Sequence, residues 1–193
     1  MLKIMIILKT IIIFLVLAPL AIAPHAQAAP VEAPVAAEVS PPGDIPDNQS
    51  FVTFTSPSGF SIKVPEGWAR KDDGAKTTFS DKYNHLVLQS SDAAQTVSEA
   101  FAKSSLVPDL QKNGRAVDKI SVKTLALRSG PVVVLQYDSN SEPNAVTNKQ
   151  IREENESLYF AKANQLITVT LSAPKGADNV DQWNLMANSF QWK

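Results

Sequence analysis

The sequence predicts an α+β domain, an antiparallel sheet of six to eight strands with two main helices packed on it. Three observations predict it. Ile167, Val169 and Leu171 alternate with Thr168 and Thr170 in strand phase. Thr96-Val97-Ser98-Glu99 has the reciprocal capping pattern that opens a helix in the middle of the chain. Val180, Trp183, Ala187 and Phe190 recur at helical spacing near its end.

Ahead of the domain, Lys3 and Lys9 precede an apolar run from Ile11 to Ala23, and Ala26-Gln27-Ala28 offers the small residues that a signal peptidase accepts. Residues 1–28 are therefore expected to be a signal peptide, cut between Ala28 and Ala29. The competing possibility is an uncleaved anchor from Ile4 to Ala23, since that stretch approaches the roughly 20 residues that span a bilayer; Lys9 and Pro19 interrupt it. The chain has no cysteine, so neither a lipid anchor on that residue nor a disulfide can form. Cleavage would leave no stable membrane insertion. It would also move the formal charge from −1 to −3, because the leader carries Lys3 and Lys9 and no acid. That balance argues against nucleic acid or an anionic membrane as partner.

Residues 29–50 are rich in Ala and Pro, with Pro30, Pro34, Pro41, Pro42 and Pro46 spaced through them. Proline fixes φ and removes a donor, so this segment is expected to be an extended, disordered linker. Residues 51–193 form the single domain, long enough at about 140 residues to bury roughly two thirds of its unfolded surface without staples.

Within it, Phe51 to Thr55 and Phe60 to Val64 flank the turn Ser56-Pro57-Ser58-Gly59 and read as a hairpin. Pro65-Glu66-Gly67 delivers Trp68 to the edge of the core. The loop Lys71-Asp72-Asp73-Gly74 leads to strands near Thr77 to Phe79 and His85 to Gln89. The helix capped by Thr96 should end or kink before Val107, because Pro108 cannot continue it. Two long strands follow, Ala116 to Leu127 and Pro131 to Tyr137. The apolar phase of the first slips between Val122 and Leu125, which predicts a bulge. The second, Val132-Val133-Val134-Leu135, is apolar in both phases and predicts a strand covered on each face. Gln150 to Ala163 and Leu166 to Leu171 form another hairpin, and Asp178 is the expected N-cap of the last helix. Trp192 is the final apolar anchor.

Three segments carry a resemblance: Gly59-Phe60-Ser61-Ile62-Lys63-Val64-Pro65-Glu66-Gly67-Trp68, Leu166 to Pro174, and Trp183 to Phe190. In this order and spacing they resemble the PsbP-like family, that of the extrinsic oxygen-evolving-complex subunit and its bacterial relatives. The resemblance covers nearly all of Phe51 to Trp192. It implies an α-β-α sandwich around an antiparallel sheet, a fold shared with a nuclear-import factor that binds Ran, and action by binding other proteins. The lipid-bearing cysteine of cyanobacterial forms is missing, which sets the chain apart from the photosynthetic members. No matched position carries over a catalytic role.

The residues themselves offer little covalent chemistry. Serine hydrolysis needs a base near neutral pKa, and only His85 survives cleavage of the leader. Ser172-Ala173-Pro174-Lys175 has S-x-x-K spacing but contains a proline and lacks the companion motifs. Asp72, Asp73 and Asp81 could meet His85 in space, and Glu154 and Glu156 share a strand face able to hold a hard cation. Carboxylates beside a base, such as Glu153 and Glu154 after Arg152, usually face water as solvated pairs. The glycines are scattered singly, so no phosphate loop is present. The expectation is therefore a protein with no catalytic, metal or cofactor-binding residue and no cofactor, exported to the periplasm or beyond, that binds an envelope protein. The alternative is a small-ligand or metal-ion binding protein, or an enzyme, with its site on the sheet face. Oligomeric state and the identity of the partner are not encoded in any motif.

Overall fold

A computed structural model describes residues 32–93 and 96–193, which belong to one compact unit. The Ala28–Ala29 junction and Thr96's flanking residues 94 and 95 lie outside the described residues.

Among the described residues, ten strands form two antiparallel sheets. The smaller joins β1 (Phe51–Ser56), β2 (Phe60–Pro65) and the short β10 (Gln191–Trp192) in the order β1-β2-β10. The larger contains β3 (Ala69–Asp73), β4 (Lys76–Asp81), β5 (Asn84–Asp92), β6 (Asp118–Leu127), β7 (Gly130–Asn140), β8 (Arg152–Lys162) and β9 (Gln165–Pro174). Its order is β3-β4-β5-β9-β8-β7-β6, so β6 and β3 are the edges. The helices are α1 (Glu99–Phe101), which runs through a π-helical turn (Ala102–Leu106) into α2 (Val107–Asn113), and α3 (Val180–Asn188).

Strand alternation splits the core across the large sheet. On one face Leu86, Leu88, Val132, Val134, Leu158, Phe160, Ile167, Val169 and Leu171 pack with Phe60 and Ile62 of the small sheet and with Met186 of α3. Phe190 is the centre of this layer, stacked 3.8 Å from the ring of Phe160 and 5.4 Å from that of Phe60. On the other face Val133 and Leu135 meet Ala102, with Leu106, Val107 and Leu110 around them. Helices thus cover both faces, the α-β-α arrangement expected, and β7 is apolar in both phases because it supplies both layers. It is the penultimate strand of the sheet.

Several local expectations are corrected. The helix begins at Glu99 under Ser98, whose hydroxyl accepts from the Phe101 amide at 3.2 Å, and Thr96 is not its cap. Of the two outcomes expected before Val107, an end does not occur: the helix continues past Pro108, interrupted by a π turn up to Leu106 that widens the spiral where the missing N–H would have bonded. The irregularity of β6 lies between Asp118 and Ser121, where Lys119 adopts φ 50°, and not between Val122 and Leu125. The phase slip there has another cause: Val122 packs on one core layer and Leu125 on the other. Lys71 to Asp73 belong to β3, an edge strand with every residue exposed and hence no apolar phase to read. Asn179, not Asp178, precedes α3, and Val180 points outward.

Of the segment expected to be a disordered linker, residues 32–50 are irregular but attached. Ile45 is buried in the main core, and its amide donates to Asn179 Oδ1 at 2.6 Å. The Gly43 carbonyl accepts from Asn84 and Asn179, at 2.8 and 3.0 Å. Backbone and Pro174 approach so closely there that a Cβ on Gly43 would stand 2.7 Å from the proline ring. Upstream, Glu32 pairs with Arg115 at 2.9 Å and accepts from Asn140 and Gln150. One buried isoleucine and a set of side-chain bonds outweigh the proline-rich composition. Among the described residues, no helix is long and apolar enough to cross a membrane.

Candidate functional site

Opposed charges from separate elements converge in a cleft of about 540 Å³ between α3 and the β6, β7, β8 end of the large sheet. Alternation along β7 turns Gln136 and Asp138 to this face, and along β8 it turns Glu154 and Glu156. The kink at Lys119 re-aims β6, as bulges do, and brings its ammonium 3.2 Å from Asp138 Oδ2. Lys175, just beyond β9, reaches the same oxygen at 2.5 Å. Lys123 and Leu125 line the β6 wall, and Val180, Trp183 and Asn184 line the α3 wall.

Arg152 anchors the arrangement from the start of β8. Only 4 % exposed, it donates to the Ala116 carbonyl at 2.8 Å and to Asn140 Oδ1 at 3.0 Å, and it pairs with the Asp118 carboxylate. Those bonds fix the start of β6 against β7 and β8.

The acids of the cleft are already partnered. Asp138, whose side chain is 7 % exposed, is held by two lysines. Glu156 accepts from Gln136 Nε2 at 2.7 Å. Burial pushes the Glu154 carboxyl above its ordinary range, against the Gly176 amide and Lys175, which favour its charge. Val180 at the rim is 65 % exposed, an apolar group with no cover beside Trp183.

The sequence pairs Glu154 with Glu156 correctly, and the structure brings both into this cleft. The other candidates disperse. Asp72 lies on β3, bound to Arg70 at 3.0 Å and to Thr77 at 2.8 Å. Asp73 ends the same strand, and Asp81 ends β4. Among the described residues no group of three or more His, Cys, Asp or Glu is placed to hold a metal ion. His85 sits on β5 across from Ser172, with its pKa lowered by burial. The Ser172 hydroxyl donates instead to Asn155 Oδ1 at 2.6 Å, while Lys175 is committed to Asp138. The S-x-x-K spacing therefore joins nothing, since the two side chains leave an extended strand end in different directions.

The solvation expected of Glu153 and Glu154 beside Arg152 is corrected for Arg152 and Glu153. Both are buried, on opposite faces, because β8 runs inside the sheet. Burial, with Glu142 nearby, pushes the Glu153 carboxyl up to about 7. Asp138 was not singled out by sequence, because Lys119 and Lys175 join it only through the strand order.

No family model matches the chain, and no curated protein matches it. Among solved structures, the solution structure of cyanobacterial PsbP (CyanoP) from Synechocystis sp. PCC 6803 is similar at 17 % identity and TM-score 0.54, over 75 % of this chain and 94 % of that one. A crystal structure from Bacteroides thetaiotaomicron VPI-5482 is similar at 14 % identity and TM-score 0.46, over 73 % of this chain and 48 % of that one. The three-layer arrangement described above is a PsbP-like fold.

Proposed function

We propose that the protein is a non-enzymatic exported binding or accessory protein that acts by protein–protein interaction at the cell envelope. The observation that carries this reading is the pairing in the cleft. Its acids are answered by Lys119, Lys175 and Gln136, while Val180 beside Trp183 is left bare. A reacting site aims unpartnered donors or bases at the space a substrate will fill. A binding surface instead frames an exposed apolar anchor with a polar rim. The Ala26-Gln27-Ala28 leader supports export, and the PsbP-like resemblance, with its action through other proteins, points the same way.

The test is affinity capture from envelope extracts with the exported protein and with Val180→Asp. A specific protein retained by the native chain and lost with the variant is the expected result. Recovery of no protein, together with saturable binding or turnover of a small metabolite, would contradict it.

A further inference from the structure

β6 is an open edge, and its outer side is legible residue by residue. Leu127 and Gly130 close a two-residue loop, so that pair exchanges ladder bonds, as do alternate residues back along β6. Leu125, Lys123 and Ser121 therefore turn their amides toward β7, and Val122, Thr124 and Ala126 turn theirs outward. Pro131 agrees with this phase: it stands opposite Ala126, in a pair that needs no donor. Thr124 agrees as well: its hydroxyl donates to the Glu99 carboxylate at 2.9 Å, and its amide faces the same carboxylate. No backbone bond from another segment reaches Val122, Thr124 or Ala126 among the described residues. A side-chain carboxylate thus occupies the position that the carbonyl of a further strand would take. Glu99 is half-buried there, its other oxygen 3.5 Å from Lys103.

We infer that the β6 edge is a strand-docking site, stoppered by Glu99, for an extended partner segment in which acidic and apolar residues alternate. This rests on the binding role proposed above and names the surface and the chemistry of its partner. The register gives the chemistry. Ser121, Lys123 and Leu125 present one face of β6 to the cleft that also holds Lys119 and Trp183, so a strand added beside them extends the cleft floor. Its residues on that side meet the Lys123 ammonium, which favours an acid. Residues on the other side meet Val122, which favours an apolar group. A second copy of this chain fits poorly, since the cleft side of β6 carries Lys119, Ser121, Lys123 and Leu125 and offers no acid to meet the Lys123 ammonium.

The test titrates the exported protein with a capped peptide of alternating glutamate and valine, and with the same peptide carrying lysine for glutamate, reading amide exchange by NMR. The expected result is slowed exchange at Val122 and Ala126 with the glutamate peptide only. Glu99→Ala, which frees the Thr124 amide, should tighten binding about threefold to tenfold. Ala126→Pro, which removes an outward donor and leaves the β7 ladder whole, should abolish it. Equal binding of both peptides, binding indifferent to Ala126→Pro, or no protection even in Glu99→Ala overturns the inference. Concentration-dependent self-association of Glu99→Ala without peptide binding overturns it too, by giving the edge to a second copy. An envelope partner whose capture ignores Ala126→Pro overturns the edge assignment alone, whereas failure to capture any partner overturns the binding role and leaves the peptide result standing.

Discussion

Asn179 accepts the buried amide of Ile45 at 2.6 Å, and with this bond the last helix of the domain holds the segment that precedes its first strand. The same side chain donates to the Gly43 carbonyl at 3.0 Å and to Asn84 Oδ1 at 3.2 Å. Residues 32–50 are therefore part of the folded unit, and experiments on a chain beginning at Phe51 would act on a damaged core.

Asn179→Ala strips a partner from Gly43, Ile45 and Asn84, on two segments at once. Leaving such groups unsatisfied costs about 1–3 kcal/mol. Urea unfolding should show that loss, and limited proteolysis should show faster cutting before Phe51, because the attachment of Ile45 weakens while the sheet persists.

Glu153 makes stability depend on pH in an unusual direction. Its folded pKa, raised to about 7 by burial, lies above its ordinary value of 4.5. Between those values the folded state holds a proton that the unfolded state has lost, so stability falls as pH rises from about 4.5 to 7 and then levels off, by up to about 3 kcal/mol. Glu153→Gln should flatten this slope, leaving stability near pH 4 unchanged and raising it near pH 8. Denaturation midpoints across that range measure the effect.

Arg152 is the pivot of the cleft. Arg152→Ala leaves the half-exposed Asp118 carboxylate unpaired and deprives the Ala116 carbonyl and Asn140 of their donor, a loss of about 1–3 kcal/mol. Arg152→Lys is not a rescue, since one ammonium cannot reproduce the planar fork that spans these acceptors. Thermal unfolding should rank the native chain above the lysine variant and the lysine variant above alanine. Amide shifts of Lys119 and Asp138 should move with both substitutions.

What the sequence reveals follows from the range of the forces involved. The β8–β9 hairpin and the two-faced β7 are legible because alternation is local and burial enforces it. Glu154 and Glu156 are legible as a pair for the same reason. β3 is silent, since an exposed edge strand of Arg, Lys and Asp has no apolar phase. Ser98 displaces Thr96 as cap because Glu99, instead of returning a bond to its own helix, reaches across to Thr124, a partner fixed only by tertiary packing. Asp138 with Lys119 and Lys175 is illegible for a like reason: the three meet through the order of β6, β7 and β9 in the sheet. The attachment of residues 32–50 was hidden because a single isoleucine and scattered amides outweigh a composition that elsewhere signals a free tether.

The most direct measurement of the binding role is calorimetric titration of the purified envelope partner against the native protein, Val180→Asp and Lys123→Glu. Both substitutions alter exposed or half-exposed residues beside the cleft and should leave the fold intact, as circular dichroism will register. At least tenfold weaker binding by each variant, about 1.4 kcal/mol, is the expected result. Affinity unchanged by either substitution would contradict the assignment of this cleft as the working surface of the protein.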